Sequence, residues 1–135
     1  MKLDPFVTVD DLPFTTTMDE LRRLHGVPRR EALNDVGLHE LDYGHVVYRF
    51  QDSTGRLEEV TQRATVLYLP GGVAVPFASL QAYLREHDPD AFRAGGFFVS
   101  PRHGLAFDPA DSNWVTVLAA HCLPQWRALA THPPP

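Results

Sequence analysis

The longest apolar runs in this chain, Ala64–Leu69 and Trp114–Ala120, are no longer than a single strand, and glycine, proline or aspartate interrupts most of the rest. A membrane-spanning helix needs roughly 20 consecutive apolar residues, so neither run is one. Short runs parted by turn residues predict hairpins, and hairpins predict an antiparallel sheet. At 135 residues, 44% hydrophobic and 21% charged, the chain suits one globular domain with a core of its own.

The helices are marked by their ends. Thr17 with Glu20 three residues on forms a capping box, and Met18, Leu21 and Leu24 then share one helical face. Gly26 and Pro28 stop this helix, which is expected over about Met18–His25. Ser79 is expected to cap a second helix, Leu80–His87, with Leu80, Tyr83 and Leu84 turned inward. A third short helix is expected over Pro124–Ala130, with Trp126 and Leu129.

Between the helices, Arg29–Gly37 reads as an irregular loop. Leu41–Phe50 alternates at period two but slips by one at Gly44, the expected mark of a bulge in the strand or of a close backbone approach. Asp52–Gly55 is a turn, and Arg56–Arg63 is expected to return as a polar, solvent-facing strand. Ala64–Leu69 and Val73–Phe77 predict a hairpin around Pro70-Gly71-Gly72. Asp90–Ala94 reads as a short turn, and strands are expected over Phe97–Ser100, Leu105–Asp108 and Trp114–Ala119. The fold class is therefore α+β, a mainly antiparallel sheet with two to three short helices packed on it. One domain covers residues 1–131, and 132–135 are expected to form a disordered tail.

Twelve Lys+Arg against seventeen Asp+Glu leave a net charge of −5, and Lys2 is the only lysine. Clustered Lys and Arg drive phosphate binding, so nucleic acid is not expected as a direct partner. The one cysteine, Cys122, can form no internal disulfide. With an N-terminus too acidic and proline-bearing for a secretory signal, a cytoplasmic location is expected.

Candidate chemistry is sparse. Seven histidines are present, but no H-x-x-x-H, C-x-x-C or H-E-x-x-H spacing, so no metal or other cofactor is expected. His39 and His45 could share a strand face only without a bulge at Gly44. His121 and Cys122 are adjacent, and on an extended segment they would point to opposite faces, which argues against a nucleophile–base pair. Cys122 among Val117, Leu118 and Leu123 reads as a buried, inert thiol. Pro70-Gly71-Gly72 lacks the following helix and the lysine of a phosphate loop.

The carboxylates carry the remaining signal. Asp88 and Asp90 flank Pro89, and Asp108 and Asp111 flank Pro109-Ala110. Aspartate beside proline is common in turns for local hydrogen-bond reasons. If the two loops converge, they make an acidic rim beside Trp114, with Phe92 and Tyr43 as neighbours and the character of a protein-binding hot spot.

The glycine–aromatic pattern of Gly95-Gly96-Phe97-Phe98-Val99-Ser100-Pro101, His103-Gly104-Leu105-Ala106-Phe107-Asp108-Pro109 and Asn113-Trp114-Val115-Thr116-Val117-Leu118 resembles the C-terminal half of small bacterial immunity proteins encoded beside secreted polymorphic toxins. Phe14–Leu21, through Gly26-Val27-Pro28 into Tyr43–Phe50, resembles the helix-then-hairpin units of inhibitory modules. The resemblance implies stoichiometric occlusion of a toxin's active site without chemistry. An acidic member suits a toxin whose own site is basic. Partner-binding residues are then expected at Asp42, Tyr43, Asp88, Asp90, Asp108, Asp111 and Trp114. Two other readings stand beside it. A regulatory or scaffold module would bind another cellular protein or form a homodimer, the latter if Trp114–Ala119 lies at a sheet edge. A small enzyme or ligand-binding protein would need His45, His103 or Asp108 to converge in a closed pocket.

Overall fold

The computed structural model describes residues 1–111 and 113–131, so the expected tail at 132–135 lies outside the described residues. Strands β1 (Leu3–Asp4), β2 (Thr8–Val9) and β3 (Leu12–Pro13) form a small sheet, followed by helix α1 (Met18–His25). Strands β4 (Arg30–Leu33), β5 (Leu38–Asp42), β6 (Val46–Gln51) and β7 (Leu57–Arg63) make a first meander. A separate hairpin of β8 (Val66–Leu69) and β9 (Val73–Pro76) leads into α2 (Phe77–His87). The second meander is β10 (Phe92–Ala94), β11 (Phe97–Ser100), β12 (Leu105–Phe107) and β13 (Trp114–Leu118). A 3-10 turn (Ala120–Cys122) and α3 (Leu123–Thr131) follow.

The two meanders join into one antiparallel sheet of order β10-β11-β12-β13-β7-β6-β5-β4. The junction is the β7–β13 pairing, from Trp114 opposite Arg63 to Leu118 opposite Glu59. The fold is α+β. No helix among the described residues is long and apolar enough to cross a membrane.

The sheet has two unlike faces. On the first, Leu41, Tyr48, Phe50, Val60, Val117 and Phe107 pack with Leu21 of α1, Leu80 and Leu84 of α2, Leu67 and Val75 of the separate hairpin, and Leu3, Val9 and Leu12. On the second, α3 lays Leu123, Trp126 and Ala130 over Ala94, Val99, Ala106 and Leu118. That helix covers only the β10–β13 half.

The helix α1 has the bounds expected of it. Thr17 Oγ1 accepts the Glu20 N–H at 3.2 Å, and Glu20 Oε1 accepts the Thr17 N–H at 3.2 Å, a complete capping box. The Pro70-Gly71-Gly72 hairpin also forms where expected.

Other expectations are corrected. Arg29–Gly37 holds β4, an edge strand too exposed to show alternation. Leu41–Phe50 is not one bulged strand. The chain turns back at Tyr43-Gly44-His45, where the Tyr43 N–H donates to Val46 O at 2.9 Å and Gly44 takes φ 94°. A bulge and a tight turn both ask for a residue at positive φ, so the glycine alone did not separate them. Arg56–Arg63 contains β7, which lies at the centre of the sheet with Leu57 and Val60 buried. Asp90–Ala94 contains β10. The second helix starts at Phe77 with Pro76 as its cap, so Ser79 sits inside it. The strand Trp114–Leu118 has neighbours on both sides, which closes the expected route to self-pairing through its edge.

Gly104 ties the β11–β12 turn to the small sheet. Its φ is 62°, and a Cβ there would lie 2.8 Å from the Phe6 ring and 3.2 Å from Leu118 O. Gly55 has a similar φ of 74° but open space around it. Gly55→Ala should therefore cost only the backbone penalty, about 1 kcal/mol. Gly104→Ala should cost roughly 2–4 kcal/mol, since overpacking is added to it. Urea denaturation of the two variants separates these outcomes.

Candidate functional site: the open half of the sheet

Among the described residues, no helix packs against the second face of β4–β7 beyond the overhang of α3 at Glu58 and Glu59, and the side chains there are polar. Glu40, Arg49 and Glu59 stand opposite one another on three adjacent strands, as cross-strand pairing requires. Arg49 Nε donates to Glu40 Oε2 at 2.6 Å, and its Nη1 donates to Thr61 Oγ1 at 2.6 Å. The same Nη1 lies 3.8 Å from Glu59 Oε2. The hydroxyls of Thr61 and Thr116, 2.8 Å apart, carry the network across to β13. Burial raises the Glu59 carboxyl above the usual carboxylate range, and Arg49 and a hydrogen bond from Trp126 only partly offset it.

Three concavities follow one another along this face. One of about 200 Å³ is lined by Arg30, Ala32, Glu40, Asp42, Val47 and Arg49. The next, about 310 Å³, lies between Arg49, Glu59 and Thr61 on one side and Asp108, Asp111, Trp114, Phe97 and Trp126 on the other. The third, about 420 Å³, runs under α3 between Val36, Leu38, Glu58, Glu59, Cys122 and Leu129. Six carboxylates and two arginines line the three. Arg29 and Arg56 sit at the margin, 3.9 Å from Asp42 and 3.8 Å from Glu58. Phe97 and Trp126 meet edge to face at 5.4 Å, and the Arg63 guanidinium lies over Trp114 at 5.6 Å. Leu129, Val36 and Phe97 are exposed apolar side chains along this groove.

The register of β7 shifts once. Arg49 faces Glu59 but Phe50 faces Leu57, so Glu58 is the extra residue of a β-bulge. The bulge puts Glu58 and Glu59 at the same cavity under α3. Glu58 is buried, and its carboxylate is bonded by the His121 ring Nε2 and by Cys122 Sγ, the latter at 2.9 Å. This overturns the expectation that His121 and Cys122 point apart. They lie on a 3-10 turn rather than an extended segment, and both reach one carboxylate. The buried state expected for Cys122 is correct. Burial raises its thiol far above the ordinary value, and the hydrogen bond to Glu58 and that carboxylate's charge raise it further. A thiol held protonated in this way is a poor nucleophile at neutral pH.

The seven expected binding residues divide. Asp42, Asp108, Asp111 and Trp114 all line the open face. Tyr43 belongs to the other side: its ring meets those of His25 and Tyr48 edge to face, and its hydroxyl donates to Gly26 O at 3.0 Å, tying α1 to the sheet. Asp88 is not an exposed loop carboxylate. It is 2% exposed, and it accepts from Ser100 Oγ at 2.7 Å, the Arg102 N–H at 3.0 Å and the Asp90 N–H at 2.9 Å. Asp90 is exposed in the same loop. The Asp88 loop meets one end of β11 at Ser100, whereas Asp108 lies by Gly96 at the other end, so the two acidic loops do not converge. Phe92 packs under α3 with Arg127 over its ring.

Nor do the groups of the enzymatic reading meet. His45 lines a separate hollow with Asp10 and His25, His103 bonds Ser100 near Tyr83, and Asp108 is on the open face. His39 bonds Glu31 at 3.1 Å on the first face. Sequence reasoning missed Glu40, Arg49, Glu58, Glu59 and Trp126. Once β5, β6 and β7 are adjacent, alternation alone would have put Glu40, Arg49 and Glu59 on one face. No family model, curated protein or solved structure matches the chain at a significant level.

Burial alone would raise the Asp88 carboxyl, but the hydrogen bonds from Ser100, Arg102 and Asp90 outweigh it and hold it below its ordinary value of 3.8. The resulting stability is present above the unfolded value and is lost as pH falls through the lower folded one. Asp88→Ala should cost about 3 kcal/mol at neutral pH, because a buried hydroxyl and an amide lose their acceptor. The difference from wild type should shrink as pH drops below about 4. Urea midpoints measured across that range test both points.

Proposed function

We propose that the protein is a binding protein of the immunity type, which neutralises a cognate bacterial toxin by covering the toxin's basic active-site surface with the open half of its sheet. One observation carries this reading: among the described residues no helix packs against much of the β4–β7 half of one sheet face, and the groove there is lined by carboxylates, the half-buried rings of Trp114 and Trp126 and the exposed ring of Phe97. A groove of this kind offers flat backbone support, charge for steering and apolar anchors in Trp114, Phe97 and Trp126. The partner it suits is a protein surface rich in arginine or lysine. Such a surface is what a nuclease-like or nucleotide-binding toxin presents. The role needs no chemistry from this chain, and it is supported by the separation of His45, His103 and Asp108.

The test is co-expression with the product of the neighbouring open reading frame, scoring host survival and co-purification. Rescue with a one-to-one complex is expected. Asp108→Lys combined with Asp111→Lys should then weaken the complex by roughly 10–100-fold, mainly by slowing association at low salt. Asp90→Lys, away from the groove, should leave it within about twofold. A toxic neighbour that this protein does not relieve sinks the proposal. Equal losses in the two charge variants would instead move the interface off this face.

A further inference from the structure

Beside the concavity under α3, which Glu58 and Cys122 line, three side chains of different chemistry meet, the third being His121. Glu58 comes from the β7 bulge, and His121 and Cys122 come from the 3-10 turn, more than sixty residues later. One carboxylate oxygen of Glu58, Nε2 or Nδ1 of His121 and Sγ of Cys122 all lie within 4.8 Å of one another. Around a tetrahedral zinc, with bonds of about 2.0–2.3 Å, ligand atoms stand about 3.3–3.7 Å apart. The Glu58 oxygen stands closer than that to both the His121 Nε2 and the Cys122 Sγ, so the three side chains must part slightly to admit an ion.

We propose that Glu58, His121 and Cys122 are the three protein ligands of a zinc-class divalent ion, with a fourth position open to the cavity beneath α3. The donor set is what selects the metal. Thiolate and imidazole together favour zinc over magnesium or calcium, which take oxygen donors. Two local departures from regular structure converge here, the bulge and the 3-10 turn, and each presents its ligands to the same point. Arg56 Nη2 lies 3.8 Å from Glu58 Oε1, the oxygen that does not face His121 and Cys122. It thus orients the carboxylate in the manner of an outer-shell partner. Access exists as well: His121 is exposed, and the cavity of about 420 Å³ reaches both Glu58 and Cys122. Without metal, the ring and the thiol bond the carboxylate directly. On binding, the ion takes their place between the three groups, the thiol proton leaves to solvent, and the ring proton exchanges through solvent from Nε2 to Nδ1 so that Nε2 is free to ligate. The remaining position is open to water or to a donor group on a small ligand.

The full chain, stripped by a chelator, is titrated with Co²⁺ as a spectroscopic stand-in and then with Zn²⁺ in competition with a chromophoric chelator. One equivalent of Co²⁺ should produce an intense thiolate-to-cobalt charge-transfer band, and Zn²⁺ should displace it. Cys122→Ser should abolish the band. His121→Ala and Glu58→Gln should each weaken zinc by about 100-fold or more, whereas His87→Ala, far from the cluster, should change it by less than twofold. Absence of the band in the wild-type chain at stoichiometric cobalt overturns the proposal, whatever the variants do. So does a zinc affinity that survives in both Cys122→Ser and His121→Ala, since the other six histidines of the chain would then account for it.

Discussion

The pairing of β7 with β13 is the constraint on which the architecture rests. Each meander is built from neighbours in sequence, and each alone would leave a half-sheet with an apolar face and a raw edge. Five register pairs join them, and the bonding runs past both strand ends: the Ala64 N–H donates to Asn113 O at 2.6 Å and the Ala119 N–H to Glu58 O at 2.9 Å. Val60 and Val117 thereby meet on the buried face, and Thr61 and Thr116 on the open one. The last of these bonds also delivers the chain leaving β13 to the β7 bulge, which is how Cys122 reaches Glu58.

The coverage of the second face follows from side-chain size and polarity. On the β10–β13 half, Ala94, Val99 and Ala106 present a low apolar surface against which a helix can lie closely. On the β4–β7 half, Glu40, Asp42, Arg49, Glu59 and Thr61 would each have to be desolvated beneath a helix, and burying paired charges gains little. The network through Arg49 satisfies Glu40, Glu59 and Thr61, while Asp42 accepts from the Gly44 N–H and pairs with Arg29. The binding reading is a consequence of that division.

The legible parts of the sequence were those fixed by local chemistry. Thr17 and Glu20 located α1, the glycine pair after Pro70 located a hairpin, and Leu80 and Leu84 identified the inner face of α2. The strand over Arg56–Arg63 reads as polar and solvent-facing because its polar residues outnumber Leu57 and Val60, the two apolar side chains that anchor it in the core at the centre of the sheet. Placement of the acids failed in the same way. Asp88 and Asp108 both sit in proline-bearing turns, yet one is consumed internally and the other faces a groove. Only the third dimension separates them. The adjacency of His121 and Cys122 was judged on extended geometry, and a single turn of 3-10 helix reversed the inference.

The thin attachment of α3 has a dynamic consequence. Its contacts fall on small side chains, and its own Leu123, Trp126 and Ala130 remain partly exposed. Amide hydrogens in α3 should thus exchange through sub-global openings well below the global unfolding free energy, while those of β6, β7 and β13 wait for complete unfolding. Each opening bares the apolar strip of β10–β13. The helix therefore also works as a shield against self-association in the native state, and how long it stays down governs how safely the protein can accumulate at high concentration.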